Sequence, residues 1–423
     1  MSTQTTAGAN QGASSNRNHQ SRYAWALAFA CLLGLMALPT SAHGQTFSVL
    51  YTFTNPADGS TPVSLTVDAA GNLYGTTLGG ANAAGTVFKL DPAGNKTTLY
   101  QFKQVPDGNG PVNVVRDSAG NLYGATFEGG STCFFQQGCG TVFKLDANGN
   151  ETILHRFGRG TDGRFANAVT RDAAGNLYGT TEQGGVPALC GSHGETGCGT
   201  IFRVDASGRE TIQYRFRDAE DGNTPLGGVI LDAAGNLYGT TGSGGANTYG
   251  TVFKLDTNRN LKVVHSFTAT EGCFASASLS RDAAGNLYGT APNCGEFGEG
   301  TVFKVAPSGE TTVLHTFTGG SDGGFPGGPV VLDQAGNLYG SATFGGNLTA
   351  PLCTLPETTA PGCGVVFKID TNSQFTVLHT FDGTDGQWIN GVILDAAGNV
   401  YGTALDSDIP TGGVYGTVFK IEP

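Results

Sequence analysis

The sequence predicts an all-β protein made of seven similar units, and two observations carry that prediction. First, the chain has 423 residues, of which 68 are glycine and only 13 % are charged, a composition typical of short strands and tight turns. Second, the phrase Ala-Gly-Asn-Leu-Tyr-Gly recurs about every 50–60 residues, with Val in place of Leu in the last copy. Its tyrosines are Tyr74, Tyr123, Tyr178, Tyr238, Tyr288, Tyr339 and Tyr401. Such regular repetition indicates one closed or stacked array.

Each repeat contains four segments with strand character. In the fourth repeat they are residues 228–232, 236–241, 251–256 and 261–267, and we name them strands A, B, C and D. In this repeat strands A and B are joined by Asp-Ala-Ala-Gly, and several repeats join strands C and D by a similar Asp-x-x-Gly, which favours a tight turn. Both connections are therefore predicted to be hairpins on one face. The B–C and D–A connections then lie on the opposite face.

Four antiparallel strands in about 50 residues, repeated seven times, predict the four-stranded blades of a single seven-bladed β-propeller. The strands are apolar on both faces, as a sheet packed between two neighbouring sheets requires. The last repeat ends after its strand C, whereas residues 47–53 resemble a strand D with no strands A to C before it. We therefore expect residues 47–53 to complete the last blade and to close the ring, which removes an exposed sheet edge.

The first 44 residues are predicted to be a secretory signal peptide. Arg17 and Arg22 precede an apolar run from residue 23 to residue 38, and a proline and small residues suited to signal peptidase follow. An uncleaved membrane anchor is the alternative, but the run is shorter than the ~20 residues that span a bilayer. The sequence thus predicts a propeller domain of residues 45–423 that is exported to the periplasm or the extracellular space. We expect this domain to be a monomer without membrane association.

The chain is acidic, with a formal net charge of −12. Loss of the first 44 residues makes the charge more negative, because that segment contains Arg17 and Arg22 and no acid. Proteins that bind nucleic acid need a basic stripe for the phosphates. Nucleic acid is therefore not expected as a partner.

Eight cysteines follow the signal segment, an even number that suggests disulfides in an exported chain. Three pairs each enclose one loop, which leaves the last two for each other. The predicted pairs are Cys133–Cys139, Cys190–Cys198, Cys353–Cys363 and Cys273–Cys294. Metal binding by cysteine is the alternative, but the sequence has neither a Cys-x-x-Cys pair nor clustered histidines.

The repeats resemble those of the GloVer family, the "choice-of-anchor" tandem-repeat family of exported bacterial proteins. The resemblance rests on Asp-Ala-Ala-Gly-Asn-Leu-Tyr-Gly-Thr-Thr, Gly-Thr-Val-Phe-Lys-Leu-Asp and Leu-His-Thr-Phe, and it covers the chain from Phe47 onward. It implies export and propeller-like repeats, but the family brings no established activity and no catalytic residues. Other propellers with Gly-Asn-Leu-Tyr phrases, among them antibiotic lyases and sugar-lactone hydrolases, are similar at the level of fold alone.

One position of strand D carries either histidine or tyrosine. The histidines are His155, His265, His315 and His379, and the tyrosines are Tyr51, Tyr100 and Tyr214. Each histidine could serve as a general base. Exchange with tyrosine favours a structural role instead, because the position then needs a flat ring with a polar tip. His193 has no equivalent in the other repeats, and a solvated loop histidine is its simpler interpretation.

One carboxylate precedes a glycine in every D–A connection. The seven acids are Asp58, Asp107, Asp162, Asp221, Glu271, Asp322 and Asp385. One interpretation is a turn in which the carboxylate positions the chain for strand A. The other is a ring of negative potential at the mouth of the central channel, which would bind a cation or a cationic ligand. Glu271 fits such a turn less well and keeps the second interpretation open.

Two further groups stand out near the channel and its loops. Arg116, Arg171 and Arg281 lie near the end of strand A, where we expect pairing with turn carboxylates and where an anion site is the alternative. The loops of the B–C and D–A face carry Phe134, Phe135, Phe297 and Trp388. Exposed aromatics there would suit carbohydrate or peptide, although aromatics packed beneath their own loops explain the pattern equally well.

These features predict a secreted binding or scaffold module whose loop-bearing face contacts a protein or a carbohydrate. The alternative is a lyase or hydrolase at the channel mouth, in which a divalent cation could take part; a structural envelope component is a third. No cofactor is predicted. An enzyme needs unlike groups with unequal pKa values, but the acids and histidines that break the repeat are scattered over four units. They are Glu128, Glu182, His193, Glu271 and Glu296.

Overall fold

Seven four-stranded antiparallel sheets form a ring, so the predicted seven-bladed β-propeller is confirmed. The computed structural model describes residues 45–131, 133, 138–158, 161–186, 190, 197–218, 220–353, 362–406 and 415–422. Short 3-10 turns lie at Pro56–Asp58 and Pro351–Cys353, and the described ranges contain no α-helix. No helix in those ranges is therefore long and apolar enough to cross a membrane.

Each blade runs from strand A at the inside of the ring to strand D at the outside. Strand β1 is Thr46–Thr52. Blade 1 contains β2 (Ser60–Val67), β3 (Leu73–Gly79), β4 (Thr86–Leu90) and β5 (Lys96–Gln101). Blade 2 contains β6 (Gly108–Arg116), β7 (Leu122–Gly129), β8 (Thr141–Leu145) and β9 (Glu151–Arg156). Blade 3 contains β10 (Arg164–Ala166), β11 (Thr170–Arg171), β12 (Leu177–Gln183), β13 (Thr200–Val204) and β14 (Glu210–Arg215), and its strand A is divided between β10 and β11.

The remaining blades follow the same order. Blade 4 contains β15 (Ile230–Leu231), β16 (Leu237–Thr241), β17 (Thr251–Leu255) and β18 (Leu261–Ser266). Blade 5 contains β19 (Ser280–Arg281), β20 (Leu287–Ala291), β21 (Thr301–Val305) and β22 (Thr311–Thr316). Blade 6 contains β23 (Val331–Leu332), β24 (Leu338–Ala342), β25 (Val365–Ile369) and β26 (Phe375–Thr380). Blade 7 contains β27 (Gln387–Leu394), β28 (Val400–Asp406), β29 (Thr417–Glu422) and β1.

Strand β1 closes the ring as predicted. It pairs antiparallel with β29, from Thr46 opposite Glu422 to Thr52 opposite Thr417. Blade 7 therefore takes its outer strand from the N-terminal side of the domain and its other three from the C-terminal side. The pairing covers the sheet edge that β29 would otherwise expose.

The repeated phrase builds the A–B hairpin. In blade 4, Asp232 Oδ1 accepts hydrogen bonds from the backbone N–H groups of Ala234 and Asn236, and Oδ2 accepts from Asn236 Nδ2 at 2.7 Å and from the Tyr238 hydroxyl at 3.0 Å. Gly235 has φ +85°, which a residue with a side chain adopts at a cost. The phrase thus encodes a turn, and we call the side of the ring that bears the A–B and C–D turns the hairpin face.

The core lies between blades and is filled by phenylalanines of strands C and D. Phe267, at the end of strand D in blade 4, is fully buried and meets Phe303 of blade 5 edge to face, with ring centroids 4.8 Å apart. The repeated glycine of strand B makes room for the strand C ring, because a Cβ on Gly239 would lie 2.6 Å from Phe253 Cζ. Similar clusters join each pair of neighbouring blades.

Strand A differs among the blades, and this difference shapes the centre of the ring. It has eight or nine residues in β2, β6 and β27, but two in β15, β19 and β23. Blades 4 to 6 have one more residue between the loop acid and the turn aspartate than the other blades have. The extra residue breaks the ladder between strands A and B. Backbone that would have been strand therefore lines the centre of the ring as irregular chain.

All four predicted disulfides form: Cys133–Cys139, Cys190–Cys198, Cys273–Cys294 and Cys353–Cys363. Three of them lie within B–C connections, and the fourth joins the D–A and B–C connections of blade 5. They stiffen the face opposite the hairpins, which we call the loop-rich face. Disulfides are consistent with a protein that is exported to an oxidising compartment.

Candidate functional site

A cavity of about 710 Å3 lies at the axis of the ring. All seven blades contribute to its wall, through strand A or the residues directly before it. These residues include Leu65, Asn113, Ala168, Gly228, Ser278, Pro329 and Val392. Leu78, Phe127 and Glu128 also line it, and they stand where strand B ends and the B–C connection begins. The cavity therefore belongs to the loop-rich face.

The polar part of the wall is mostly amide, hydroxyl and backbone. Asn113 Nδ2 donates to the Val169 carbonyl at 2.9 Å, and its Oδ1 accepts from the Val169 N–H at 3.0 Å, so this amide ties blade 2 to blade 3. Asn390 Nδ2 donates to the Val63 carbonyl at 3.2 Å and ties blade 7 to blade 1 in the same way. These amides hold the wall of the cavity in place.

Glu128 is the charged side chain among the described residues that line the cavity. It accepts a hydrogen bond of 2.8 Å from Asn109 Nδ2, its partner across strands β6 and β7. Burial raises the pKa of Glu128 above its ordinary value, and the hydrogen bond from Asn109 offsets this in part. The pair offers one carboxylate and one amide to a ligand in an otherwise uncharged wall.

Aromatic rings lie beside the cavity in an unusual backbone conformation. Phe127 of the cavity wall stacks on Phe165, with centroids 4.9 Å apart and planes 15° apart. Phe165 has φ +60°, and the equivalent residue of every D–A connection also has φ between +53° and +65°. The seven residues are Thr61, Gly110, Phe165, Thr224, Phe274, Phe325 and Trp388. Bulky residues rarely adopt such φ values, so four aromatics here stand out from the repeat.

Backbone hydrogen bonds between blades hold this left-handed position. The N–H of Phe165 donates to the carbonyl of Cys139 at 2.8 Å, that of Phe325 to Glu299 at 2.8 Å, and that of Trp388 to Cys363 at 3.1 Å. The aromatic rings are therefore carried by a fixed part of the framework. Sequence reasoning missed Phe165, Phe274 and Phe325, although an aromatic three residues after the loop acid in four of seven repeats was a usable signal.

Exposed large apolar side chains concentrate on the loop-rich face. Six such side chains are exposed among the described residues, and five of them lie in or beside B–C and D–A connections. They are Leu78, Tyr249, Phe274, Phe297 and Leu348, whereas the sixth, Val49, lies in β1. Phe297 and Phe274 are about half exposed, at 55 % and 49 %. Trp388 is partly buried, and Phe134, Phe135 and His193 lie outside the described residues.

Six of the seven D–A acids form a hydrogen bond with the ring at the shared histidine or tyrosine position of strand D in their own blade, and the seventh, Asp162, lies 3.5 Å from His155 Nε2. Tyr100 donates to Asp107 at 3.1 Å, and His315 Nε2 lies 3.1 Å from Asp322 Oδ2. Asp322 also accepts from the backbone N–H of Thr318, four residues earlier. Equivalent ring–acid pairs are Tyr51–Asp58, His155–Asp162, Tyr214–Asp221, His265–Glu271 and His379–Asp385. These contacts give a physical reason for the structural role that the exchange of histidine and tyrosine at this position indicates.

The structure does not bring these acids together. None of the seven lines the axial cavity. Six of them accept a hydrogen bond from a backbone N–H within their own D–A connection, and Asp58 is bound by Tyr51 and Lys96. A binding role for them as a ring stays a prediction. Glu271 occupies the same pairing as the aspartates, because its longer side chain reaches His265 Nε2 at 3.1 Å and the Thr268 N–H at 2.9 Å.

The arginines of strand A do not form the ion pairs expected from the sequence. The guanidinium carbon of Arg116 lies 5.2 Å from the ring centroid of Tyr74, in the preceding blade. Arg171 lies over Tyr123 at 5.3 Å, and Arg281 over Tyr238 at 5.5 Å. These rings belong to the repeated phrase, so the arginines form cation–π contacts between blades. Carboxylates of the turns are already bound by the asparagine and tyrosine of the same hairpin.

Two further groups of acids depart from the repeat. Glu182 lies at the end of strand B in blade 3, at the position of Phe127 in blade 2, and burial raises its pKa to about 7. At the outer edge, ligand atoms of His155, Asp162 and Glu210 all lie within 4.8 Å of one another. Burial and then the charge of Asp162 raise the pKa of Glu210 to about 7, and His155 and Arg215 oppose that rise. The cluster of His155, Asp162 and Glu210 could hold a cation. For Glu182, by contrast, the structure describes no hydrogen-bonding partner.

A family model matches most of the chain. The Gloeobacter/Verrucomicrobia repeat matches residues 37–189 and 187–351. The chain belongs to this family. The match agrees with the resemblance drawn from the repeated motifs. No curated protein matches the chain.

Solved structures similar to this Gloeobacter/Verrucomicrobia repeat protein are propellers at low sequence identity. Virginiamycin B lyase from Staphylococcus aureus matches with a TM-score of 0.59 and 12 % identity, over 90 % of this chain and 99 % of the lyase. The extracellular domain of a putative hybrid two-component system from B. thetaiotaomicron matches with a TM-score of 0.53 and 14 % identity, over 89 % of this chain and 41 % of that one. Puromycin hydrolase gives a TM-score of 0.54 and 12 % identity, over 83 % and 53 %. These likenesses support the fold.

Proposed function

We propose that this protein is an exported binding module that takes a carbohydrate ligand in the axial cavity of its loop-rich face. The observation that carries the proposal is the cavity itself. Its volume of about 710 Å3 lies in the range of roughly 300–1,000 Å3 that is usual for small-molecule sites. All seven blades build it, so the ring provides a preformed cavity and the ligand need not organise one.

The chemistry of the wall suits a sugar. A pyranose ring has an apolar face of C–H groups that stacks on an aromatic ring, and hydroxyls at its edge that need donors and acceptors. Phe127, supported from behind by Phe165, offers the aromatic ring. Glu128 and Asn109 offer a carboxylate and an amide beside it. An anionic ligand is disfavoured, because the charged group of the described wall is a carboxylate in a chain of net charge −12.

The surroundings of the cavity favour recognition of a larger ligand chain as well. Exposed aromatics such as Phe274 and Phe297 lie on the same face, and disulfides stiffen its connections. Rigid irregular loops on a regular scaffold lose little conformational entropy on binding. We expect an oligosaccharide to place one ring in the cavity and further rings against the surrounding loops.

Export is part of the proposal. Residues 1–44 carry the pattern of a signal peptide, and four disulfides are expected where the environment is oxidising. Extracellular domains of a putative hybrid two-component system and of a putative one-component system from B. thetaiotaomicron are similar in fold. Periplasm and extracellular space both fit these observations.

The test is binding of defined oligosaccharides. A panel is screened by thermal melting of the purified protein, and each sugar that raises the melting temperature is titrated calorimetrically. Phe127→Leu and Glu128→Gln should each weaken the affinity at least tenfold. Both replacements occur at the same position in other blades, as Leu78 and Gln183, so we expect both variants to fold. Asp256→Asn on the hairpin face is the control and should bind as the wild type does.

Binding that survives both cavity substitutions would remove the axial cavity as the site. Absence of a shift with every sugar would remove the carbohydrate and leave a protein partner for the loop-rich face. The enzymatic alternative has one observation in its favour, the raised pKa of Glu128, which suits a general acid or base. A new product from a bound sugar in the wild type, lost in Glu128→Gln, would establish that alternative.

A further inference from the structure

The outer junctions between neighbouring blades share one arrangement with different side chains. In blades 1, 3, 6 and 7 the residue four positions before the shared histidine or tyrosine of strand D lies against the ring–acid pair of the preceding blade. Phe47 stacks on His379 with centroids 3.7 Å apart, and Phe375 stacks on His315 at 3.8 Å. The seven residues at this position, which we call the junction residues, are Phe47, Lys96, Glu151, Glu210, Leu261, Thr311 and Phe375. The junctions can therefore be compared with one another.

The junction between blades 7 and 1 already holds a cation. Lys96 Nζ lies 2.6 Å from Asp58 Oδ1, and it donates to the Asp58 carbonyl at 2.7 Å and to Thr98 Oγ1 at 2.9 Å. The Lys96 side chain is 3 % exposed. The arrangement thus stabilises a buried positive charge next to the loop acid.

The junction between blades 2 and 3 has the acid and lacks the lysine. Its junction residue is Glu210, which faces the pair formed by His155 and Asp162. Among the residues that the structure describes, this is the one group of three metal-ligating side chains with ligand atoms within 4.8 Å of one another. His155 Nε2 and Glu210 Oε1 are buried, and neither has a hydrogen-bonding partner. Arg215 attracts Glu210 without forming an ion pair with it.

The ring–acid pair at this junction is also wider than its equivalents. His155 Nε2 lies 3.5 Å from Asp162 Oδ2. The corresponding distance is 3.1 Å at His265 and at His315, and 2.6 Å at His379. The imidazole and the carboxylate are therefore close enough to share a partner, while they do not satisfy each other by a direct hydrogen bond.

We propose that His155, Asp162 and Glu210 bind a divalent transition-metal cation, Zn2+ in the first place, in the position that corresponds to the ammonium group of Lys96. One imidazole nitrogen with two carboxylates is a donor set that Zn2+ accepts, at bond lengths of about 2.0–2.2 Å. Ca2+ and Mg2+ prefer shells made wholly of oxygen. The cation would neutralise two partly buried carboxylates and give the imidazole the partner it lacks.

The neighbouring junction provides a natural comparison. Between blades 1 and 2 the three positions are Tyr100, Asp107 and Glu151, so the set differs by tyrosine in place of histidine. Asp107 Oδ1 and Glu151 Oε1 are likewise buried without partners. Without an imidazole, this junction should bind Zn2+ much more weakly. The difference between the two junctions isolates the contribution of His155.

This metal would have a structural role. It would cross-link the outer strands of blades 2 and 3 at the rim, whereas the axial cavity is lined by inner strands. Its presence is independent of the proposed sugar binding. Failure of one proposal therefore leaves the other untouched.

The experiment measures zinc directly. The purified protein is saturated with Zn2+, dialysed, and its zinc counted by inductively coupled plasma mass spectrometry, alongside melting curves with Zn2+ and with Ca2+. The wild type should retain one zinc per chain and melt at a higher temperature with Zn2+ but not with Ca2+. Glu210→Gln and His155→Tyr should each weaken zinc binding at least tenfold, and tyrosine is already present at this position in three blades.

Matched controls identify the site. Glu151→Gln changes the equivalent junction residue, and His265→Tyr changes an equivalent histidine whose junction residue is Thr311; both variants should retain the zinc. Circular dichroism without metal establishes that each variant is folded. A wild type that keeps no zinc and shows no shift overturns the proposal. Equal loss of zinc in Glu151→Gln or His265→Tyr also overturns it, because binding would then be unspecific.

Discussion

On the hairpin face every A–B turn aspartate is fully bound, whereas on the loop-rich face Glu128 and Glu182 are carboxylates with little support. In all seven turns the aspartate accepts from an asparagine side chain and from a tyrosine hydroxyl. Burial alone would raise the pKa of Asp232, but hydrogen bonds from Asn236, Tyr238 and the backbone outweigh burial and lower it. Burial raises the pKa of Glu128 and Glu182 instead.

The two groups of acids have opposite effects on the stability of the folded state. Acids with lowered pKa values stabilise the folded state at neutral pH, and acids with raised values destabilise it. Seven turns with the same aspartate, asparagine and tyrosine contacts therefore stabilise the hairpin face. Glu128 and Glu182 depart from the repeat and lie on the other side, at the ends of strand B, while Glu151 and Glu210, whose pKa values burial also raises, lie at the outer junctions. Such costs to stability are expected at functional positions.

The largest change in stability is expected from a substitution on the hairpin face. Asp232→Ala removes the acceptor of four hydrogen bonds, from the backbone of Ala234 and Asn236, the Asn236 side chain and the Tyr238 hydroxyl. We expect the free energy of unfolding to fall by about 2–3 kcal/mol, at roughly 0.5–1.5 kcal/mol for each net hydrogen bond. Urea denaturation monitored by tryptophan fluorescence measures it. The control is Asp256→Ala in an exposed C–D turn, which should cost less; an equal loss would show that the tyrosine contact adds nothing.

Glu182→Gln should increase the free energy of unfolding, whereas Asp232→Ala decreases it. Its pKa is about 7 in the folded protein and ordinary, near 4.5, in the unfolded chain. The folded state therefore binds more protons between these values, and stability falls as the pH rises through that window. The variant lacks this penalty, so at pH 8 we expect it to be more stable than the wild type by about 1–2 kcal/mol, less than the full shift because the carboxylate is partly solvated.

The pH dependence of the stability difference distinguishes an effect of the Glu182 charge from an effect of its packing. At pH 4 Glu182 is mostly protonated in both states, and the two proteins should unfold at nearly the same urea concentration. Denaturation series at pH 4, 6 and 8 measure the difference. A constant difference over the whole range would mean that packing of the side chain, and not its charge, is responsible.

The smallest effect is expected at the exposed aromatics. Phe297→Ser changes a side chain that is 55 % exposed in the B–C connection of blade 5. The free energy of unfolding should change by no more than about 0.5 kcal/mol, as for most surface substitutions. Affinity for an oligosaccharide found by the screen should nevertheless fall. A large loss of stability would mean that the ring packs beneath its loop in solution.

The fold could be predicted from the sequence because the same short-range contacts recur in each of the seven repeats. Asp232, Gly235 and Asn236 define a turn through contacts within five residues, and the same residues recur in each blade. Ring closure by residues 46–52 was predictable because a strand missing at one end was present at the other. The disulfides were predictable because three pairs each enclose a single loop.

The candidate site was less accessible to such reasoning. The cavity wall is made of residues such as Gly228, Ser278 and Pro329, which carry no chemical signature, and its volume depends on the assembly of all seven blades. His155 and Glu210 are 55 residues apart, and they meet because a junction residue packs on the preceding blade. The arginines were assigned to carboxylates because sequence does not reveal that those carboxylates are already saturated within their turns.

Closure of the ring by β1 also imposes an order in time. Thr52 of β1 leaves the ribosome 365 residues before Thr417 of β29, its partner in the last blade. At roughly 5–20 residues per second this is about 20–70 s of synthesis, during which β1 lacks the strand with which it pairs in the folded domain. Blades 1 to 6 can form from contiguous segments in that interval, but blade 7 cannot. The strand that finally joins the two ends is thus the part of the domain most dependent on protection until the chain is complete.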